Sequence, residues 1–176
     1  MNIIVQTISF ESTTGYLMIG GRRFDCALGR AGVTLDKTEG DGKTPIGIYP
    51  FRQLIYRADR VEKPDTGLPL EILNPDTGWC EDPTHADYNR KVVLPHPALC
   101  DTMTRDDHLY DLTAVIGYND DPAVAGRGSA IFMHLARDDF TPTAGCVGLK
   151  KQDLLDVLKM LDSDSHITIL PPPLEK

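Results

Sequence analysis

Read for its periodicities, the sequence describes a mainly β domain with a single helix. Short runs of β-branched and aromatic residues recur along the chain between clusters of glycine, proline and asparagine. A 3.6-residue apolar period is sustained in one segment only, Lys151 to Asp162. Gly20-Gly21 stands between two of the apolar runs, where consecutive glycines supply the positive φ angles of a tight two-residue hairpin. A length of 176 residues fits one domain, taken as 1–176, and is short for two independent cores.

Ile3 to Ile8 is a β-branched run, Ser12 to Gly15 is turn-rich, and Tyr16 to Ile19 and Arg22 to Leu28 flank the glycine pair, so the chain opens on a meander of three strands. Gly29 to Thr44 holds four glycines and several charges without a period, the mark of a surface loop, and its length suggests a function. From about Ile46 to Tyr56 a strand pair or one long bent strand is expected. Asp59 to Pro97 carries six of the thirteen prolines and reads as mostly irregular. Leu109 to Tyr118 reads as a strand, and Ser129 to His134 is an apolar run without alternation, as expected of a strand covered on both faces. In the helix, Leu154, Leu158 and Leu161 form one stripe with Leu155 alongside, while Asp153 in the first turn and Lys159 in the last suit the dipole. His166 to Leu170 is a final strand that stops at the proline trio from Pro171.

Apolar residues make up 41% and charged residues 25%, a composition able to form a packed core. The formal charge of −8 supplies no field for polyphosphate and argues against nucleic acid as a partner. No apolar run approaches the roughly 20 residues of a membrane-spanning helix, and the first residues show neither a basic region nor an apolar one of the kind that leads secretion. Phosphate-loop and dinucleotide signatures are absent, and no carboxylate pair is singled out by spacing.

Chemistry concentrates in Thr143-Ala-Gly-Cys-Val-Gly-Leu149, twelve positions after His134. A cysteine behind a glycine can sit where backbone N–H groups point at a substrate oxygen, and a nearby histidine can lower the thiol pKa and hold the thiolate. Spacing alone leaves a buried structural cysteine and a satisfied core histidine as the other reading.

Together, Ser129 to His134 and Thr143 to Leu149 resemble the active-site motif of the L,D-transpeptidases of the YkuD family: a His, a loop, then Ser or Thr, His, Gly, Cys, an apolar residue and Arg. Asp41-Gly-Lys-Thr-Pro-Ile-Gly-Ile-Tyr49 is similar to that family's Thr-Pro-x-Gly segment, and Gly29-Arg-Ala-Gly32 to the turn before it. The resemblance implies two packed mixed β-sheets with one helix after the catalytic cysteine. It also implies attack of a cysteine thiolate on the L,D-peptide bond of a peptidoglycan tetrapeptide stem, release of D-Ala, and resolution of the thioester by an amine or by water. Cys146 then takes the role of nucleophile and His134 of general base. Thr143 matches the motif's Ser or Thr, and Gly145 with the Cys146 N–H would form the oxyanion hole. Tyr118 would donate to the oxyanion. Members of that family are acylated by carbapenems. No cofactor is implied, and the oligomeric state is left open.

This chain departs from the motif at Ala144, where the second His would stand, and at Gly148, where the Arg would stand. Arg137 and Arg127 flank the expected site and are candidates for the lost cation. Three uses of the site are open: transpeptidation, carboxypeptidase or hydrolase action on wall peptides, and a binding module without turnover. The substrate implies the periplasm or cell envelope, while the missing leader leaves the cytoplasm as the other compartment. Cys80, His85, His96 and Cys100 have a C-x4-H…H-x3-C order reminiscent of structural zinc, but ordinary packing around Trp79 is the expectation and no metal site is assigned.

Overall fold

In the computed structural model, which describes residues 1–173, strands dominate and one helix is present among the described residues. The last three residues of the domain expected over 1–176 lie outside them. Asn2–Gln6 (β1), Thr14–Ile19 (β2) and Arg22–Ala27 (β3) form the antiparallel meander, with Gly20 and Gly21 at φ +56° and +76° turning β2 onto β3. Inside the following loop, Val33–Thr34 (β4) and Thr44–Pro45 (β5) pair in parallel. The long bent strand is Gly47–Tyr56 (β6).

Four short strands follow: Leu70–Ile72 (β7), Thr77–Cys80 (β8), Lys91–Val93 (β9) and Cys100–Thr102 (β10). The first three interrupt the segment expected to be irregular. At three or four residues each they carry no readable period and are defined by their partners. Leu112–Ile116 (β11) is the strand expected over Leu109 to Tyr118, trimmed at both ends, and Phe132–Leu135 (β12) is the one expected over Ser129 to His134, starting three residues later and running one residue further. Val147–Leu149 (β13), directly after Cys146, was not anticipated as a strand. Lys151–Leu158 (α1) and His166–Ile169 (β14) complete the chain.

Nine strands form one mixed sheet in the order β11-β12-β13-β3-β2-β1-β14-β6-β7. Because β6 is ten residues long, its first part pairs with β14 and its second part with β11, so the sheet curls until its ends meet. The pairs β1–β14, β12–β13 and β6–β7 are parallel. Its enclosed face holds the main core, including Leu17, Leu54, Leu112, Met133, Val147 and Leu158. A three-stranded antiparallel sheet, β10-β8-β9, packs on its outside through Trp79, whose ring meets Phe132 edge-on at 4.9 Å.

Alternation along β12 sets up the site: Met133 and Leu135 enter the main core, and Phe132 and His134 face outward under the small sheet. The helix buries Leu154, Val157 and Leu158. It ends four residues before the expected Asp162, because the Met160 and Leu161 N–H groups bond three residues back and close a tighter turn that still buries Leu161. Lys159 is thus the C-cap and not part of the last turn.

Candidate active site

Parallel pairing of β12 and β13 places Met133 opposite Val147 and His134 opposite Gly148. Residues two apart on a strand share a face, so Phe132, His134, Cys146 and Gly148 point the same way. Both Cys146 and His134 line a cavity of about 570 Å³ between the two sheets.

Gly145 is what brings the cysteine to that position. Its φ is +140°, and a Cβ there would stand 2.8 Å from the Lys43 carbonyl oxygen and 3.3 Å from Ile131 Cδ1. The turn is closed by Thr143, whose hydroxyl donates to the Cys146 carbonyl at 2.7 Å and accepts from the Gly145 N–H at 3.1 Å. That N–H, expected in the oxyanion hole, is therefore already engaged, since the threonine side chain competes for it. The Gly29–Thr44 loop is clamped to the same turn: Arg30 N–H donates to the Thr143 carbonyl, Thr143 N–H to the Leu28 carbonyl, and Gly29 N–H to Thr44 Oγ1, at 2.8, 2.8 and 2.9 Å.

The thiol of Cys146 donates to the Ala130 carbonyl at 3.2 Å and receives the Phe132 N–H at 3.4 Å. Burial pushes it up to about 12, against the Phe132 hydrogen bond and the Lys37 charge, which act to lower it. This reverses the expectation of a lowered thiol. His134 is pushed down to about 4, again by burial first, with its hydrogen bond to Leu135 opposing. Its Nδ1–H donates to the Leu135 carbonyl at 2.8 Å, which fixes the tautomer and leaves the lone pair on Nε2. Burial thus favours the neutral thiol and imidazole over the ion pair.

Tyr110 stands edge-on against His134 at 5.3 Å and lines the cavity. Tyr118 does not line it: its ring packs edge-on against Tyr49 at 5.3 Å, and its hydroxyl donates to the Arg127 carbonyl. Arg127 is also outside, paired with Asp36 at 2.8 Å on the surface. A strand tyrosine before the histidine has two candidates in the sequence, and only the packing of β11 against β12 separates them. Thr143, Ala144 and Arg137 do line the cavity.

The charged walls of the cavity were not legible in the sequence. Lys37 is 4% exposed and bonds Asp41 at 2.7 Å, while Arg105 forks both nitrogens onto Asp107 at 2.8 and 2.9 Å. Burial acts to raise the Asp41 carboxyl, and Lys37 with the N–H groups of Thr38 and Lys43 outweighs it, so it is lowered. Glu39, Glu81 and Asp101 also line the cavity. Glu81 is pushed up to about 7 by burial and by the neighbouring Asp101 and Glu39 charges. The length of the Gly29–Thr44 loop was the only signal for Lys37 and Glu39; Glu81 and Asp101 had none.

Residues 10–169 match the L,D-transpeptidase catalytic domain, YkuD. The chain belongs to this family. No curated protein gives a significant match. Among solved structures, the chain is similar to the helical cell-shape-determining protein Pgp2 from Campylobacter jejuni, at 16% identity and a TM-score of 0.44 over 98% of this chain and 48% of that one. The chain thus spans about half of that structure. At the position of the YkuD motif's arginine, a Cβ on Gly148 would lie 3.3 Å from the Ala136 Cβ, and the cations that line the cavity are Arg30, Lys37, Arg105 and Arg137.

Proposed function

We propose that the chain is one catalytic unit that performs cysteine-dependent acyl transfer on peptidoglycan stem peptides in the cell envelope, with L,D-transpeptidation as the outcome. The observation that carries this reading is the shared face of Cys146 and His134 on the cavity floor, with the histidine held as the Nε2 base by Leu135.

In the first step the thiol leaves the Ala130 carbonyl and gives its proton to His134 Nε2 as sulfur attacks the L,D-peptide carbonyl. The new C–S bond places charge on the carbonyl oxygen, which the Cys146 N–H receives with Lys37 nearby. Collapse breaks the C–N bond, and His134 returns the proton to the departing D-amino acid. An acceptor amine then attacks the thioester, gives a proton to His134, and releases the Cys146 thiol once the proton is handed back. The cations at Arg30, Arg105 and Arg137 suit the carboxylates of the donor stem, and the acids Glu39, Glu81 and Asp101 suit an ammonium acceptor before it is deprotonated.

Incubation with disaccharide tetrapeptide, with products weighed by mass spectrometry, tests this. Loss of D-Ala with a cross-linked dimer is expected, and none with Cys146→Ala. Tripeptide alone would assign water as the acceptor and make the protein a carboxypeptidase. No turnover by the folded wild type would make it a binding module.

A further inference from the structure

We propose a zinc site on the small sheet, with Cys80 Sγ, His96 Nδ1 and Cys100 Sγ as ligands. Ordinary packing around Trp79 was expected of this segment, but the fold draws these three donor groups together so that their ligand atoms all lie within 4.8 Å of one another. Cys80 and Cys100 are direct cross-strand partners on β8 and β10, and His96 approaches from the loop after β9.

The distances suit a metal. Tetrahedral zinc with Zn–S about 2.3 Å and Zn–N about 2.0 Å sets sulfur and nitrogen about 3.5 Å apart. His96 Nδ1 is 3.4 Å from Cys100 Sγ. The other ring nitrogen, Nε2, lies 3.2 Å from Asp87 Oδ2, so the carboxylate keeps the proton on Nε2 and the lone pair of Nδ1 toward the cysteines. Nδ1 now also receives the Ala98 N–H at 3.2 Å, a bond that metal would displace. A water would fill the fourth position; His85, edge-on to His96 at 5.0 Å, groups with Asp87 and His96 and not with the cysteines. Two thiolates and an imidazole are soft and borderline ligands, the set that favours zinc over calcium or magnesium. On binding, each cysteine loses its thiol proton to solvent and forms an S–Zn bond.

The site also reaches the cavity. Register alternates, so Cys80 and Cys100 face one way while their pairing neighbours Trp79 and Asp101 face the other, toward Phe132 and the catalytic cavity. Metal on the back of the sheet would hold the acidic wall in place from behind.

The test is metal analysis of untagged protein expressed with added zinc, followed by cobalt(II) titration of the reduced apoprotein. One zinc per chain is expected, with the thiolate-to-cobalt charge-transfer band and the visible bands of tetrahedral cobalt. Cys100→Ser and His96→Ala should lose both signals; Cys26→Ser and Cys146→Ala should keep them. A melting temperature that falls on chelation in the wild type and not in Cys100→Ser is the second expected sign, and circular dichroism confirms that each variant is folded. The proposal is overturned if the folded, reduced wild type takes up neither metal, if the cobalt bands persist without Cys80 and Cys100, or if Cys80 and Cys100 form a disulfide and the reduced protein binds nothing.

Discussion

The Cys146 thiol points at the Ala130 carbonyl, 3.2 Å away, and not at the imidazole of His134. Burial keeps both groups neutral, with the thiol at about 12 and the imidazole at about 4. Alkylation of Cys146 by a small reagent should therefore climb through the alkaline range without a plateau near neutral pH, in wild type and in His134→Ala alike. Turnover should separate the two proteins: His134→Ala is expected to lose at least about 10²-fold, the contribution of a positioned base. A neutral-pH plateau in the wild type would show a preformed thiolate–imidazolium pair.

Carbapenem should acylate the same thiol, since the strained lactam presents a carbonyl to Cys146 as a stem peptide does. Intact mass should rise by one carbapenem, mapped to Cys146. With no arginine at Gly148, the rate is expected to depend on the cavity cations, and Arg105→Ala should slow it. Absence of adduct at millimolar carbapenem counts against the nucleophile.

Gly145→Ala forces a side chain into φ +140° and against the Lys43 carbonyl. A loss of about 1–3 kcal/mol is expected from backbone strain of this kind, read by denaturant unfolding, together with slower turnover as Cys146 is displaced. Unchanged stability and unchanged turnover would show that the turn relaxes freely.

Acid should unfold the protein in part through His134. The unfolded imidazole titrates near its ordinary 6.5 and the folded one near 4. Between these values the unfolded chain binds the extra proton, so stability present above about pH 6.5 is lost as pH falls toward and through 4. For a fully buried ring the total is on the order of 3 kcal/mol. Stability against pH should fall less steeply in His134→Gln, and the His134 ring resonances should titrate well below neutral. A ring that titrates near 6.5 would contradict this.

Zinc removal gives a further expectation. If metal braces β8 and β10, chelation should lower turnover as well as melting temperature, through Glu81 and Asp101 and without touching Cys146. Turnover unchanged by a chelator that removes the metal would confine the site to stability.

Local chemistry made much of this protein legible. The meander followed from β-branched runs around Gly20-Gly21 and the helix from its leucine stripe, while a motif short enough to be read in line singled out Cys146 and His134 as candidates. What lay beyond reach depends on chain segments far apart in sequence. The strands β7 to β10 and β13 are three or four residues long, too short for a period, and exist because distant partners complete their hydrogen bonds. Whether Tyr110 or Tyr118 meets His134 depends on how β11 lies on β12, and whether Cys80, His96 and Cys100 converge depends on the pairing of β8 with β10. The protonation of Cys146 and His134 is the clearest case: residue types suggested an activated thiolate, but burial, a property of the assembled structure, disfavours both charges.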